Sequence, residues 1–115
     1  MALVCTDIDR RAVACAEHNL DDPRVTVRQA DVRRLDGPTG LDFVVMNPPF
    51  HDGGQEDRDL GVAFVRTAAR LLKKGGSCWL VANRHLPYEA ALAEAFAKVD
   101  VKSETGGYKI VEARK

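Results

Sequence analysis

The sequence predicts an α/β fold in which a mostly parallel sheet is covered by helices. Apolar runs of strand length alternate with longer segments of helical periodicity, an order typical of parallel sheets with crossover helices. A glycine pair near the end separates two further strand-like runs and predicts an antiparallel hairpin. No repeat, linker or low-complexity tract interrupts this order, so we expect residues 1–115 to form one domain.

Two strands and a helix are predicted in the first part of the chain. Residues 2–6 are a short β-prone apolar run, and residues 25–29 are a second strand. Residues 10–20 have helical spacing, with Asp9 as a suitable N-cap and Pro23 in the cluster that ends the helix. The apolar positions of this helix are Ala12, Val13, Ala16 and Leu20.

A continuous apolar run at residues 41–46 predicts a strand that is covered on both faces. It ends at Asn47, because the two prolines that follow cannot continue a strand. Apolar residues then recur at helical spacing over residues 60–72. Two lysines complement the dipole of this helix, and Gly75 is placed to end it as a left-handed C′ residue.

The last part of the chain predicts a strand, a helix and a hairpin. Residues 78–82 are an apolar strand, and residues 87–99 form a helix with a proline in its first turn. Residues 99–105 and 108–113 flank Gly106-Gly107, which is a hairpin signal. The predicted order is therefore β-α-β-β-α-β-α-β-β.

Composition restricts the classes of function. The 17 basic and 17 acidic residues cancel, whereas a free-standing nucleic-acid binder usually has a basic excess. An RNA substrate therefore requires a local basic patch or another domain. The cysteines Cys5, Cys15 and Cys78 lack a paired spacing, so we expect reduced packing residues of a cytoplasmic protein without disulfides or bound metal. No apolar run approaches the roughly 20 residues of a membrane span, and no signal peptide is indicated.

Asn47-Pro48-Pro49-Phe50 follows the predicted central strand, where open α/β sheets bind ligands. The side-chain oxygen of Asn47 and the main-chain carbonyl of Pro48 are suited to accept both hydrogens of a conjugated amino group. That arrangement favours a nitrogen whose lone pair points at an electrophilic methyl group. The prolines fix the backbone, and Phe50 offers a face for stacking a flat base. The alternative is a strand-ending turn in which Asn47 caps backbone groups and Phe50 is part of the core.

This motif resembles that of class I S-adenosylmethionine-dependent methyltransferases that act on adenine N6, guanine N2 or protein glutamine. Further segments narrow the resemblance to ribosomal RNA guanine-N2 methyltransferases, namely the C type that modifies the small subunit and its relative for the large subunit. These segments are residues 47–53, 75–76, 80–83, 86–88 and 104–109. The resemblance covers nearly the whole chain and implies a Rossmann-like class I methyltransferase sheet.

The resemblance also implies a site for S-adenosylmethionine. Asp7, followed by Ile8, matches the acid that binds the ribose hydroxyls of the cofactor, unless it merely caps the next helix. Asp31, followed by Val32, matches the acid near the adenine amino group. We also expect Asn47 to contact the cofactor, in addition to its role toward the substrate. Apart from the resemblance, four basic residues are candidates for a basic rim, although charged residues on exposed faces are the ordinary expectation: Arg58, Arg66, Arg84 and Lys109.

The sequence departs from the family at its beginning. The family's first strand, with its Asp-x-Gly-x-Gly loop, has no counterpart here, and its duplicated amino-terminal domain is missing. We therefore expect the chain by itself to bind S-adenosylmethionine weakly or not at all. In the family's sheet order the missing strand lies between the strands at residues 2–6 and 41–46. We expect these strands either to pair directly or to be completed in a homodimer.

The leading interpretation is a methyltransferase that uses S-adenosylmethionine to modify guanine N2 of ribosomal RNA. A second enzymatic interpretation changes the substrate to protein glutamine or adenine N6. A third is a catalytically impaired fragment that binds RNA or a protein partner. The missing glycine loop favours this third interpretation, whereas the retained motif at Asn47 and the acids Asp7 and Asp31 argue against it.

Overall fold

The computed structural model describes residues 3–7, 10–19, 23, 25–47, 55–83 and 89–115. The chain divides into two compact units, Met1–Leu35 and Asp36–Lys115. The order of strands and helices matches the sequence prediction, with a short 3-10 turn added. Among the residues described, no helix combines the length and the apolar character that crossing a membrane requires.

In the first unit a helix connects two parallel strands. Strand β1 (Leu3–Asp7) pairs with β2 (Val25–Gln29) over its full length, so that Asp7 stands opposite Gln29. Parallel strands need a crossover connection, and helix α1 (Arg10–Asn19) supplies it while contacting both strands. The carboxyl ends of β1 and β2 therefore lie at the same edge of this small sheet.

The second unit contains a four-stranded mixed sheet and two helices. Its elements are β3 (Leu41–Met46), α2 (Gln55–Leu71), β4 (Leu72–Asn83), α3 (Glu89–Ala95), β5 (Lys98–Thr105) and β6 (Tyr108–Arg114). The strand order is β3-β4-β6-β5, with β3 parallel to β4 and β6 antiparallel to both of its neighbours. The α/β class is confirmed.

The predicted hairpin between β5 and β6 is confirmed. Thr105 pairs with Tyr108, which leaves a two-residue loop. Gly106 and Gly107 have φ angles of 61° and 83°. Positive φ at both positions is characteristic of the type I′ turn, whose twist matches that of the strands, and glycine adopts this conformation without strain.

One face of the four-stranded sheet carries the hydrophobic core. Side chains of a strand alternate between its two faces, and Cys78, Leu80 and Ala82 of β4 are each at most 1% exposed. Val111 and Ala113, their partners on β6, belong to the same cluster. The buried members of the cluster are Met46, Val65, Ala68, Leu72, Cys78, Leu80, Ala82, Leu92, Phe96, Val111 and Ala113. Helices α2 and α3 therefore cover this face.

Strand β4 begins earlier than the sequence predicted. We expected the helix to reach residue 72 and Gly75 to follow it as a C′ residue. Instead α2 ends at Leu71, and β4 includes Gly75, whose φ of 85° is positive as expected. The backbone N–H of Gly75 donates to the carbonyl of Lys115 at 2.9 Å, and the N–H of Lys115 donates to Gly76 at 2.9 Å. The end of the chain therefore holds this segment as a strand.

Helix α3 is shorter at its end than predicted. The prediction ran to residue 99, but α3 ends at Ala95 and β5 begins at Lys98. The N–H of Ala97 donates to the carbonyl of Arg114 at 2.9 Å. Pairing with β6 thus takes the backbone into the sheet, a hydrogen bond that helical periodicity does not reveal. The predicted first turn, at residues 87–88, lies outside the described residues.

Candidate functional site

Asn47 lies at the carboxyl edge of β3. The last residue of this strand, Met46, is 9% exposed and belongs to the core, whereas Asn47 directly after it is exposed. Met46 pairs with Leu80 in the parallel β4, so both strands end at the same edge. Tyr108 begins the antiparallel β6 at this edge and pairs with Asn83. The structure therefore places an exposed amide where open α/β sheets bind ligands.

The rest of the motif falls outside the described residues. Pro48, Pro49 and Phe50 are among these, so the bend and the stacking face stay predictions from the sequence. The structure shows how the strand that precedes the motif is held in the core. Val44 packs against the core and Met46 belongs to it, which positions the strand that leads to Asn47.

An ion pair between a buried lysine and an exposed glutamate lies near this edge. Lys109, the second residue of β6, is 7% exposed and pairs with Ala82. Its Nζ donates a hydrogen bond to Oε1 of Glu89, the first residue of α3. The pair therefore ties the beginning of α3 to the sheet.

This burial corrects the expectation of an exposed basic rim. Lys109 packs inward, because the hairpin brings it beside α3, where Glu89 supplies a carboxylate. Arg66 is exposed as expected, whereas the side chain of Arg58 and all of Arg84 lie outside the described residues. The sequence contained no short-range signal for the pair, whose members are 20 residues apart.

The carboxylate of Glu89 is ionised more readily than usual. Partial burial is the largest influence and raises its pKa, but the hydrogen bond and the charge of Lys109 act in the opposite direction. A backbone hydrogen bond at Glu89 acts with Lys109, and the net result is a lowered pKa. The carboxylate of Glu89 is therefore charged at neutral pH.

In the first unit, Asp31 lies two residues beyond the end of β2. Its Oδ1 accepts hydrogen bonds from the backbone N and Nε of Arg33, both at 3.0 Å, and Oδ2 accepts one from Nη2 at 2.8 Å. It thereby caps the 3-10 turn Val32–Arg34. The side-chain hydrogen bond from Arg33, followed by the backbone one, lowers the pKa of Asp31 to about 2. Asp31 is therefore an acceptor at all ordinary pH values.

This cap leaves room for a further partner. A carboxylate has about four acceptor positions, and Arg33 occupies three of them. Within the part of the chain that the structure describes, one position is left for an outside donor such as an amino group. The sequence predicted an acid at this place and did not anticipate its pairing with Arg33.

Three other residues of the first unit were predicted to contact the cofactor, namely Asp7, Ile8 and Val32. Asp7 ends β1 opposite Gln29, so Asp7 and Asp31 follow neighbouring strands at one edge. The side chain of Asp7 is not among those described, and Ile8 and Asp9 lie outside the described residues. Val32 is half-buried at the start of the 3-10 turn.

Residues 1–112 match the family model of the methyltransferase small domain. The chain belongs to this family. Its curated relatives include the ribosomal RNA small subunit methyltransferase C of Shewanella denitrificans, 37% identical over 119 residues. The protein of the same name from Shewanella pealeana is 40% identical over 114 residues. These matches cover 100% and 96% of this chain but 34% and 33% of the relatives, so this small methyltransferase domain spans about one third of their length.

Solved structures confirm the Rossmann-like methyltransferase fold. The 16S rRNA N2 G1207 methyltransferase of T. Thermophilus, in complex with AdoMet and guanosine, matches with a TM-score of 0.82 and 32% identity. The match covers 99% of this chain and 31% of that protein. Human N-acetylserotonin methyltransferase matches with a TM-score of 0.71 at 14% identity, over 99% of this chain and 40% of that one. At this identity the likeness shows the fold alone.

Proposed function

We propose that this small methyltransferase domain transfers a methyl group from S-adenosylmethionine to an exocyclic amino group, guanine N2 of ribosomal RNA, in the cytoplasm. The observation that carries the proposal is the place of Asn47, an exposed amide directly after a buried strand end, at the carboxyl edge of the sheet. The relatives named above support the choice of ribosomal RNA, and the one solved with guanosine supports guanine.

The cofactor fits the acids at the ends of β1 and β2. Asp31 has one acceptor position left after pairing with Arg33, which suits the adenine amino group. We further propose that Asp7, at the end of β1, accepts hydrogen bonds from the ribose hydroxyls, and that Ile8 and Val32 contact the adenine ring. When bound, S-adenosylmethionine supplies an electrophilic methyl group on a sulfonium.

The residues of the motif prepare the substrate nitrogen. Oδ1 of Asn47 accepts one amino hydrogen, and the carbonyl of Pro48 accepts the other. Both acceptors draw the lone pair out of conjugation with the ring, while Pro49 fixes the bend and Phe50 stacks on the base. As the nitrogen takes the methyl group, its proton becomes acidic and passes to water. No strong base is required.

The test is transfer of labelled methyl groups to ribosomal RNA, followed by nucleoside analysis by mass spectrometry. Because the chain alone is expected to bind the cofactor weakly, the assay uses a high concentration of S-adenosylmethionine. Under this condition we expect N2-methylguanosine from the unmodified chain and a loss of roughly 100-fold in Asn47→Ala, the effect of removing one positioned polar group. Asn19→Ala removes an exposed amide at the end of α1 and leaves the rate unchanged.

Other products distinguish the alternatives. N6-methyladenosine or methylated protein glutamine would overturn the guanine assignment while keeping the chemistry. RNA binding without any methyl transfer would identify the chain as a binding module.

A further inference from the structure

Among the residues that the structure describes, Lys109 is the one buried residue that carries a charge. It is 7% exposed, and its side chain leaves β6 on the same face as Val111 and Ala113, which belong to the hydrophobic core. A lysine at such a position must take its ammonium group out of water, which costs free energy. This burial requires a physical reason.

Net stability does not supply that reason. The partner of Lys109 is Glu89, whose side chain is 63% exposed, so water screens the attraction between the two charges. Replacing a buried ionic group by an apolar side chain of similar volume is often neutral or stabilising. An apolar side chain at position 109 would therefore serve the core at least as well as lysine does.

A hydrogen bond fixes a direction, whereas an apolar contact does not. The middle of α3 is held by Leu92, which is 2% exposed and packs into the core. Such packing depends on the buried area and leaves the helix some freedom to turn or slide. The bond from Nζ of Lys109 to Oε1 of Glu89 joins the first residue of α3 to β6. It therefore fixes the first turn of the helix.

This fixed turn lies at the carboxyl edge of the sheet, which also carries Asn47. Met46, directly before Asn47, pairs with β4 at Leu80, and Lys109 pairs with the same strand at Ala82. Only β4 separates β3 from β6. Since neighbouring strands are about 4.8 Å apart, Asn47 and Lys109 are about 10 Å apart across the sheet, a distance that one nucleotide spans. All of these positions are set by strand pairing within the second unit.

We propose that Lys109 is a positioning residue for the RNA substrate, acting through Glu89 to fix the first turn of α3 at the edge that carries Asn47. The inference rests on the proposed function, because it concerns the substrate bound at the same edge. Asn47 orients the amino group that reacts, and the pair sets the surface against which the rest of the nucleotide binds. Loss of the pair therefore raises KM for RNA and leaves kcat nearly unchanged.

The sign of the effect of Glu89→Gln separates positioning from simple electrostatics. If charge alone mattered, removing an exposed carboxylate would lower KM for RNA, because the phosphates of RNA repel negative charge. Positioning predicts the opposite. KM for ribosomal RNA is expected to rise roughly tenfold in Glu89→Gln and to a similar degree in Lys109→Met, while kcat changes by less than about threefold.

The double variant separates positioning from stability. Glu89→Gln combined with Lys109→Met contains no unpaired charge, so its free energy of unfolding should be close to that of the unmodified chain. It still lacks the directional bond, and its KM should stay raised. Lys109→Arg keeps the charge and the donors and should recover most of the affinity. Lys102→Met is the matched control, because Lys102 is exposed on β5, and it should change neither constant.

Steady-state transfer of labelled methyl groups measures these constants, with ribosomal RNA varied at a high concentration of S-adenosylmethionine; circular dichroism verifies the fold of each variant. An unchanged or lowered KM in Glu89→Gln overturns the positioning role, even though the unmodified chain transfers methyl groups. Recovery of KM in the double variant also overturns it, since stability would then explain the effect. A loss of kcat comparable to that in Asn47→Ala would place the pair in the chemical step and overturn it as well. An unmodified chain that transfers no methyl group would overturn the proposed function and this inference with it.

Discussion

Replacing Gly76 by alanine introduces a methyl group at a crowded point of β4, beside Leu41 of β3. An added Cβ would lie 2.9 Å from the carbonyl oxygen of Leu41, 3.0 Å from that of Lys73 and 3.0 Å from Cδ2 of Leu72. The pairing of β3 with β4 is irregular at this point, between Leu41 and Phe43. Glycine at this position therefore permits the contact between the two strands.

The loss in free energy of unfolding depends on which atoms must move to admit the added Cβ. Carbon atoms normally approach oxygen to about 3.3 Å and one another to about 3.5 Å. Two of the three contacts are backbone atoms, which cannot turn aside as a side chain does. Overpacking of this kind costs about 1–3 kcal/mol, and lower entropy of the unfolded chain returns about 0.5 kcal/mol. We expect a net loss of about 2 kcal/mol, or about 10 °C in the midpoint of thermal unfolding.

Urea unfolding of Gly76→Ala, followed by circular dichroism, measures this loss. Gly37→Ala is the matched control, since a Cβ on Gly37 would meet its nearest atom, the backbone N of Thr39, at 3.8 Å, an ordinary contact. The control should change the free energy of unfolding by less than about 0.5 kcal/mol. If the two variants are equally stable, the strands separate without cost at Gly76, and the steric reasoning is wrong.

Three further predictions concern charge and burial. Glu89→Gln should lower the free energy of unfolding by about 1 kcal/mol, because the buried Lys109 loses its counterion while solvent screens the exposed Glu89. Adding Lys109→Met should recover most of this loss, as urea unfolding of both variants will show. Burial raises the pKa of Cys78 to about 12, so iodoacetamide should label the exposed Cys15 and not Cys78 in the folded chain; peptide mass mapping checks this, and equal labelling would contradict it. The pKa of Asp31 is lowered from 3.8 to about 2, so its contribution to the free energy of unfolding is complete above pH 3.8 and is lost as the pH falls toward 2. The urea midpoint of Asp31→Asn should therefore lack this part of the acid dependence. An unchanged dependence would argue against the pairing with Arg33.

Much of the fold followed from local signals. The apolar run ending before the prolines gave β3 its bounds, Leu41–Met46, and the glycine pair predicted the hairpin. Both features depend on backbone restrictions that act within a few residues, and such restrictions can be read in sequence. The place of Asn47 at a strand end followed from the same signals.

The errors came from hydrogen bonds between distant residues. Backbone hydrogen bonds with Lys115 hold the residues after α2 in a strand, and a backbone hydrogen bond from Ala97 to Arg114 starts the pairing of the chain with β6 after α3. Neither partner is near in sequence, so the prediction from periodicity made α2 one residue and α3 four residues too long. Lys109 was expected to be exposed because it is charged. That expectation was wrong for the same reason, since its partner Glu89 belongs to another element.

By itself the sequence determined the type and order of the elements and the motif that directs the proposed chemistry. Only the tertiary structure decided that Lys109 is buried beside Glu89 and how Asp31 is engaged by Arg33. The physical reason is that a periodic pattern shows which face of an element is apolar. It does not show what that face meets, because the partner is chosen by contacts between residues far apart in the chain.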